Sequence, residues 1–279
     1  MSLAKTRAEY VEFRDFLQDN CGILLGDNKD YLVESRLKPL ADRFAFVSLG
    51  ELVFRMKSAG GAALREAVID AMTTNETLWF RDLHPFQILK ERLFREMDER
   101  KGGNTPLAIW SAACSTGQEP YSIAMCAEEA KLEMKARLAG GVRIVATDIS
   151  SSALAIANKG IYESLALGRG MSEDRLKRHF NRLNDQQWQI KPAFKSMIDF
   201  RSLNLMENFS RLGQKFDIVF CRNVLIYFSA DLKQDILSRI HGVLAKDGYL
   251  ILGAAESLSN MSDKFEMVQC RPGIIYRAK

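Results

Sequence analysis

The chain has 279 residues, of which 47% are hydrophobic and 27% charged, ordinary values for a globular protein that exclude disordered, collagen-like and disulfide-scaffold classes. Its 39 lysines and arginines against 35 acidic residues leave a net charge of +4, an excess too small to predict nucleic-acid binding. The five cysteines form no C-x-x-C pair and no apolar run approaches about 18 residues, so we expect no zinc ribbon, no disulfide framework and no membrane span in a soluble, cytoplasmic protein.

The length predicts about two domains, and the first, residues 1–73, is predicted to be small and all-α. Apolar residues recur at spacings of three and four in its first helix, which is expected to end at Cys21-Gly22. The second helix is expected to kink or break at Pro39. Ser48 and Glu51 have the spacing of a capping box at the start of a third helix.

The remainder, residues 74–279, is predicted to be an α/β domain. His84-Pro85 is expected to begin a long helix that ends at Gly102-Gly103, because proline is tolerated in the first turn. Apolar strands then alternate with helices, which is typical of a parallel sheet covered on both faces. A polar stretch at about 162–198 interrupts this alternation and is predicted to be an inserted subdomain. The seven predicted strands are 107–113, 142–147, 198–203, 216–220, 248–253 and a terminal antiparallel pair at 265–268 and 273–276, with helices expected at 120–135, 151–159 and 230–244.

Ligands of such sheets bind at the carboxyl ends of the strands, so the residues after each strand are the candidate site. The loop 114–119 has one glycine and no lysine, which makes it a poor cradle for phosphate. Glu119 suits the ammonium group of a nucleoside with a cationic tail, or it is simply an acid in the first turn of a helix. Asp148 can accept hydrogen bonds from two ribose hydroxyls, or it caps the helix that follows.

Two further loops carry polar groups at strand ends. Asn204-Leu205 and Arg222-Asn223 supply an amide and a carbonyl that can hold an adenine edge and an amino group, and Tyr227 follows in the second loop. In the alternative interpretation, Arg222 is a solvated charge and Tyr227 belongs to the core. The segment 75–81 ahead of the sheet is either part of the site or an interdomain linker with a helix cap at Thr77.

Taken together, these residues resemble the chemoreceptor glutamate methyltransferases, the CheR family, over nearly the whole chain. The likeness rests on N-E-T-x-x-F-R at 75–81, S-T-G-Q-E-P-Y-S at 115–122, A-T-D-I at 146–149, N-L at 204–205 and C-R-N-V-L-I-Y-F at 221–228. It implies an α/β fold: a Rossmann-like methyltransferase domain with a mostly parallel seven-stranded sheet, a small all-α N-terminal domain and a small inserted subdomain.

The resemblance implies S-adenosylmethionine (SAM) as methyl donor, S-adenosylhomocysteine (SAH) as product and no metal. It also implies glutamate side chains on the cytoplasmic helices of chemotaxis receptors as methyl acceptors. By the same likeness, Arg81 and Tyr227 are expected nearest the transferred methyl group. The residues that it implies for the cofactor pocket are Asn75, Thr77, Arg81, Glu119, Asp148, Asn204, Leu205, Arg222 and Asn223.

Some family members use a small three-stranded insert to dock a pentapeptide at the receptor C-terminus. Residues 180–198 are a few residues short of that insert and lack its glycine-containing turn, which predicts a member that is independent of this tether. The N-terminal domain is predicted to face the receptor through basic residues that include Arg36 and Arg43, although its charges are balanced and a plain solvated surface is the alternative.

A glutamate acceptor needs no general base at neutral pH, because its reference pKa is about 4.3. His179 and His241 are accordingly expected at the surface, with His84 near a helix cap. We expect a monomer that is recruited to receptor arrays and binds neither nucleic acid nor membrane. Two alternatives stay open: a SAM-dependent methyltransferase that acts on another substrate, and a non-catalytic SAM-binding regulator.

Overall fold

The computed structural model describes residues 6–102, 104–133, 138–258 and 263–279. Four helices form its N-terminal part, and their apolar faces share one core that includes Phe13, Val33, Leu52 and Val68. The first helix ends as predicted, because Gly22 takes the left-handed conformation with φ of 75°. These helices are α1 (Arg7–Cys21), α2 (Asp30–Phe44), α3 (Leu49–Lys57) and α4 (Ala62–Met72).

Two local predictions for this part are wrong in detail. Helix α2 runs through Pro39 to Phe44 without a break. Pro39 lies on the exposed face, where water can hydrogen-bond the carbonyl that loses its N–H partner. At the start of α3, Ser48 Oγ accepts from the Glu51 N–H, but the Glu51 carboxylate accepts from the N–H of Val47 rather than from that of Ser48. Only half of the capping box therefore forms as expected.

The helix predicted before the sheet is present, with a change of pitch inside it. It comprises α5 (His84–Ile88), a π-helical turn (Leu89–Leu93) and α6 (Phe94–Arg100), with Pro85 in the first turn. Leu89 and Leu93 are fully buried against the sheet. Of the glycine pair predicted to end this helix, Gly103 lies outside the described residues.

The seven predicted strands all form and make one sheet, accompanied by three short strands of the insertion. The strands are β1 (Leu107–Ala112), β2 (Val142–Asp148), β3 (Ile161–Glu163), β4 (Phe180–Arg182), β5 (Gln187–Ile190), β6 (Ile198–Ser202), β7 (Phe216–Cys221), β8 (Leu244–Leu252), β9 (Phe265–Gln269) and β10 (Ile274–Ala278). The remaining helices are α7 (Gln118–Glu133), α8 (Ser151–Lys159), α9 (Ser164–Leu167), α10 (Glu173–His179), α11 (Pro192–Lys195) and α12 (Ala230–Val243). The predicted end of α7 near Lys135 lies outside the described residues.

The large sheet has the order β6-β2-β1-β7-β8-β10-β9. Strands β6, β2, β1, β7 and β8 run parallel, while β10 pairs antiparallel with both β8 and β9. Consecutive residues belong to different cores: Ile109 and Ile218 face one side, Trp110 and Val219 the other. The sheet is therefore covered on both faces, as the apolar strands predicted. Strand β1 lies between β2 and β7, so the strand order reverses there and a crevice opens at the carboxyl ends.

The insertion folds into an antiparallel sheet of order β3-β5-β4 with α9, α10 and α11 around it. His179, which was expected at the surface, is only 2% exposed, so that prediction is wrong. Its ring packs edge-on against Phe194 with centroids 4.9 Å apart, beneath helix α7. Burial lowers the pKa of His179 to about 4, although the nearby carboxylate of Glu129 acts in the opposite direction.

Candidate functional site

A cavity of about 330 Å³ lies at the carboxyl ends of the parallel strands, between the sheet, the segment 75–81 and the helical domain. This volume falls in the lower part of the range of about 300–1,000 Å³ found for ligand sites. The structure brings every residue predicted for the cofactor pocket, together with Tyr227, to the lining of this one cavity.

Asp148 is the last residue of β2 and is 6% exposed. Its Oδ2 accepts from the N–H of Ser115 at 2.7 Å and its Oδ1 from the N–H of Ser150 at 2.9 Å. Burial raises the pKa of Asp148, and these backbone hydrogen bonds oppose the shift. The N-cap of α8 is Ser150, whose Oγ accepts from Ala153, so Asp148 itself is not the cap. A carboxylate oxygen accepts more than one bond, which leaves Asp148 acceptor capacity for a ligand.

The buried Arg222 is the centre of an ion-pair network that includes the half-buried Glu119 and the exposed Asp82. Arg222 Nη1 donates to Glu119 Oε2 at 2.9 Å, and Ser111 Oγ donates to Glu119 Oε1 at 2.7 Å. Arg222 Nη2 donates to Asp82 Oδ2 at 2.7 Å and to the Arg81 carbonyl at 2.8 Å. Because Arg222 is only 5% exposed, the interpretation of this residue as a solvated charge is wrong.

This network has one cation and two carboxylates, Glu119 and Asp82, and therefore carries one excess negative charge. The buried Nε of Arg222 has no hydrogen-bond partner within the part of the chain that the structure describes. Because this Nε is buried rather than exposed to the cavity, it faces the interior of the protein, where the guanidinium carbon lies 5.7 Å from the centroid of the Phe86 ring. The excess negative charge of the network suits a ligand that carries a positive charge.

Asn204 and Leu205 follow β6 at the edge of the cavity. The Nδ2 of Asn204 donates to the Asn20 carbonyl at 2.7 Å, and its Oδ1 accepts from the N–H of Met206 at 3.0 Å. The amide of Asn204 therefore joins the end of α1 to the sheet domain. Leu205 is buried and gives this part of the cavity an apolar surface.

Asn223 adopts a left-handed conformation with φ of 57°, which asparagine tolerates better than most residues. Glu256 holds the turn that follows, and the sequence analysis did not single it out. Its carboxylate accepts from the N–H groups of Asn223, Val224 and Leu225 at 2.7, 3.0 and 2.8 Å, and from that of Gly253 at 2.9 Å. No motif marks such a residue, since the turn that it binds is about thirty positions away.

Tyr227 lies in a 3-10 turn (Leu225–Tyr227) and is partly buried. Its ring packs against the core beside β7 and also lines the cavity, so the core and site interpretations both apply. The Tyr227 carbonyl accepts from the N–H of Leu24 at 2.9 Å. This bond places the connection between α1 and α2 against the loop that follows β7.

The segment 75–83 forms the opposite wall. Asn75 Nδ2 donates to Ser150 Oγ at 3.2 Å, and Arg81 Nη1 donates to the carbonyl of Glu76 at 3.2 Å. Thr77 lines the cavity in an irregular stretch and caps no helix.

The backbone of this wall is strained at three residues, two of which are adjacent. Phe80, Asp82 and Leu83 have φ of 48°, 66° and 53°, although none of them is glycine. Such conformations cost on the order of 1–3 kcal/mol each and persist only where the surroundings impose them.

The helical domain contributes residues to the cavity that the sequence analysis missed, among them Leu24 and Lys29. Arg36 was predicted to face a receptor, but its guanidinium donates to the carbonyls of Met72 at 2.6 Å and Thr73 at 3.2 Å. These bonds hold the end of α4 beside the cavity and give Arg36 a role within the protein. Spacing alone carries no signal for such contacts.

The cysteines are reduced, and four of the five are buried. Burial raises the pKa of Cys114 and of Cys221, which flank the site, well above the usual range of a thiol. Neither is therefore a thiolate at neutral pH. The described residues hold no cluster of three or more potential metal ligands. None of the helices in the described ranges is long and apolar enough to cross a membrane.

The comparison with protein families finds two models that together match most of the chain. The model described as "CheR methyltransferase, all-alpha domain" matches residues 8–73, and the one described as "CheR methyltransferase, SAM binding domain" matches residues 75–274.

Curated relatives are similar over almost the whole chain. "Chemotaxis protein methyltransferase 1" of Pseudomonas aeruginosa is 54% identical over 277 residues, which cover 99% of this chain and 100% of that protein. A chemotaxis protein methyltransferase of Pseudomonas putida is 52% identical over 97% of this chain and 98% of its own length. A chemotaxis protein methyltransferase of Vibrio anguillarum is 51% identical over 97% of this chain and 97% of its own length.

Proposed function

Because this chain belongs to the CheR methyltransferase family, we propose that it transfers the methyl group of SAM to glutamate side chains of chemotaxis receptors, giving glutamate methyl esters and SAH. One observation carries the proposal: each of the five CheR motifs, which are far apart in the chain, contributes residues to the lining of a single cavity. This cavity holds carboxylates and an apolar surface and has no glycine-rich phosphate loop, which fits an adenosyl sulfonium.

We assign the walls of the cavity to parts of the cofactor. Asp148 accepts hydrogen bonds from the ribose hydroxyls. The N–H groups of Ser115 and Ser150 orient its carboxylate for this contact. Leu205 packs against adenine, and the excess negative charge around Glu119 and Arg222 receives the ammonium group.

When bound, SAM supplies a methyl group made electrophilic by the positive charge on sulfur. An oxygen of the receptor glutamate attacks the methyl carbon, a C–O bond forms, and the electron pair of the broken C–S bond goes to sulfur. The acceptor is ionised at pH 7, so no proton has to be removed. None of the three histidines, all of them among the described residues, lines the cavity.

Charge disappears during this step, because an anion and a cation become two neutral groups. Catalysis must then come from alignment in a site that excludes water, which can supply about 7–11 kcal/mol. We assign Arg81 to positioning of the acceptor carboxylate through its planar fork, and Tyr227 to contact with the transferred group. A tighter ion pair at Arg81 would stabilise the ground state more than the transition state.

We further propose how the protein meets its receptor. The helical domain, residues 1–73, contacts the cytoplasmic helices of the receptor, while residues 74–279 carry the transfer site. Exposed basic side chains such as Lys38 and Arg43 support this orientation. We place a monomeric enzyme at cytoplasmic receptor arrays, without a metal.

Labelled SAM tests the activity directly. Purified protein incubated with methyl-labelled SAM and receptor-containing membranes is expected to label the receptor, and mild base should release the label as methanol because the product is an ester. Base-stable label, or label on another acceptor, would indicate a methyltransferase with a different substrate. SAH binding by calorimetry without any transfer would indicate a regulator, and an absence of SAH binding would refute the proposal.

Independence of a pentapeptide tether is a separate part of the proposal. It is supported by the short connection between β4 and β5, residues 183–186, which offers little chain beyond the two strands. A receptor that lacks its five C-terminal residues is expected to be methylated at the same initial rate as the intact receptor. A rate lowered tenfold or more by the truncation would contradict this part alone.

A further inference from the structure

The inserted subdomain holds the wall of the cavity that carries Arg81. Trp79 is 1% exposed and packs edge-on against Tyr162 and Phe180 of the insert, with ring centroids 4.9 and 5.5 Å away. The backbone N–H of Trp79 donates to the carbonyl of Arg169 at 3.2 Å. A Cβ on the next residue, Gly170, would lie 2.1 Å from the Trp79 carbonyl oxygen, so the two backbones are in direct contact.

Phe80, the residue directly before Arg81, is held by a side chain of the same insert. The guanidinium carbon of Arg175, on α10, lies 3.8 Å from the centroid of the Phe80 ring. Phe80 is 2% exposed, and its N–H donates to Ser122 Oγ at 3.2 Å. The Phe80 ring also packs edge-on against Phe86, with ring centroids 5.4 Å apart. A cation–π contact is stronger when the ring and the cation are shielded from water than at an exposed site.

Arg175 is itself fixed to the sheet domain. Its Nε and Nη2 donate to the two oxygens of Glu129 at 2.6 and 2.9 Å, a bidentate pair in which Glu129 is 7% exposed. Lys90 Nζ also donates to this carboxylate, at 3.3 Å. Burial raises the pKa of Glu129, but hydrogen bonds and charges from Arg175 and Lys90 outweigh it, so the carboxylate stays ionised. Glu129 belongs to α7, the helix whose first turn holds Glu119.

The strain described above explains why such support is needed. Phe80 has φ of 48°, and Asp82 and Leu83 on the far side of Arg81 also have positive φ. A segment of this kind relaxes when its contacts are removed. On the other side of Arg81, the carbonyl of Arg81 already accepts from Arg222, so its backbone is gripped from the sheet as well as from the insert.

We propose that Arg175 is a positioning residue for methyl transfer: stacked on Phe80 and tied to Glu129, it fixes the backbone that presents Arg81 to the acceptor carboxylate. The inference rests on the proposed function of the cavity and gives the inserted subdomain a role in catalysis. It predicts that loss of the stacking lowers turnover and leaves cofactor affinity nearly unchanged, since Asp148 and Glu119 do not depend on it.

Arg175→Lys separates stacking from charge, because lysine can still pair with Glu129 but has no planar group to lie on the ring. We expect kcat of receptor methylation to fall about fivefold, the size of a cation–π contact, with the SAH dissociation constant within about threefold of wild type. Arg178→Lys is the matched control: it makes the same change on the same helix, where the Arg178 carbonyl accepts from Lys191. That variant should keep wild-type kcat.

Phe80→Leu completes a double-variant cycle. It should lower kcat by a similar factor. The kcat of the double variant with Arg175→Lys should be no less than about half that of either single variant, because both substitutions remove the same contact. Effects that multiply, or an Arg175→Lys enzyme as fast as the Arg178→Lys control, would overturn the inference while wild-type transfer upholds the proposed function. Absence of transfer by the wild-type protein would overturn both.

Discussion

The two walls of the cavity differ in how their shape is produced. The strand-end wall comprises Glu119, Asp148, Asn204-Leu205 and Arg222, which lie at the carboxyl ends of regular strands or shortly after them. The linker wall, residues 75–83, has almost no regular structure and three strained backbone positions. Its shape depends on side chains from the insert, from the sheet and from α8. In the proposed function, cofactor binding relies on the first wall, whereas presentation of the acceptor relies on the second.

The largest effect is expected where the two walls meet, at Arg222. Replacement by methionine would leave Glu119 and Asp82 without their buried cation, and breaking such pairs typically costs about 3–5 kcal/mol. Arg222→Met should lower the free energy of unfolding in urea by that amount. Arg201→Met is the control, because Arg201 pairs with Asp199 at the surface and should cost less than about 1 kcal/mol. Equal losses would mean that the walls are not joined at Arg222.

The strand-end wall alone is tested by Asp148→Asn. The change removes the negative charge and one acceptor beside the proposed ribose position, which is worth about 1.5–3 kcal/mol for a charge-assisted bond. We expect the SAH dissociation constant to rise about 10- to 150-fold in calorimetry. Asp199→Asn, on the neighbouring β6, should bind SAH like the wild type, since Asp199 does not line the cavity. An unchanged affinity of Asp148→Asn would show that this carboxylate only holds Ser115 and Ser150.

The linker wall is tested by Arg81→Ala. We expect kcat with receptor substrate to fall about 30-fold, equivalent to about 2 kcal/mol of lost transition-state stabilisation. SAH binding should change much less than in Asp148→Asn. Thermal stability should be near normal because, among the described residues, the Arg81 side chain donates only to the nearby Glu76 carbonyl. Near-normal methylation by this variant would remove Arg81 from the mechanism. It would also contradict the proposal that the linker wall presents the acceptor.

The smallest effect concerns the support of the linker wall by the insert. The folded-state pKa of His179, about 4, lies below its ordinary value of about 6.5. The neutral His179 therefore makes its full contribution to the free energy of unfolding above pH 6.5. This contribution is lost as the pH falls towards 4, because the histidine of the unfolded chain takes up a proton first. Between pH 7.5 and 5.5 we expect a loss of about 1 kcal/mol, measured by urea unfolding. His179→Gln should remove this part of the pH dependence, and an unaltered profile would contradict the assignment.

The contrast between the walls also explains what could be predicted from the sequence. Asp148 and Glu119 were found because parallel strands bring their carboxyl ends to one edge, whatever the details of packing. The fold class and the seven strands follow from the same regularity. The residues of the linker wall, by comparison, were recognised through their family resemblance, and their backbone conformation was not predicted.

The departures at His179, Arg36 and Glu256 share one physical origin, which is contact between residues distant in sequence. His179 is buried because α7 lies over it. The error at Pro39 differs, because Pro39 continues a helix on its exposed face. Arg36 binds carbonyls at the end of α4, and Glu256 binds a turn in another part of the chain. Periodicity reports which face of an element is apolar, but it contains no information about which polar group a neighbouring element will supply.

The bond between Leu24 and Tyr227 has a practical consequence for the design of fragments. With the Asn204–Asn20 bond, it makes the peptide that joins α1 to α2 a side of the cavity. A recombinant protein cut to begin at residue 74 would keep the whole sheet but would open Leu205 and Phe228 to solvent. Screening of inhibitors or crystallisation with cofactor therefore requires a polypeptide that retains its amino-terminal helices.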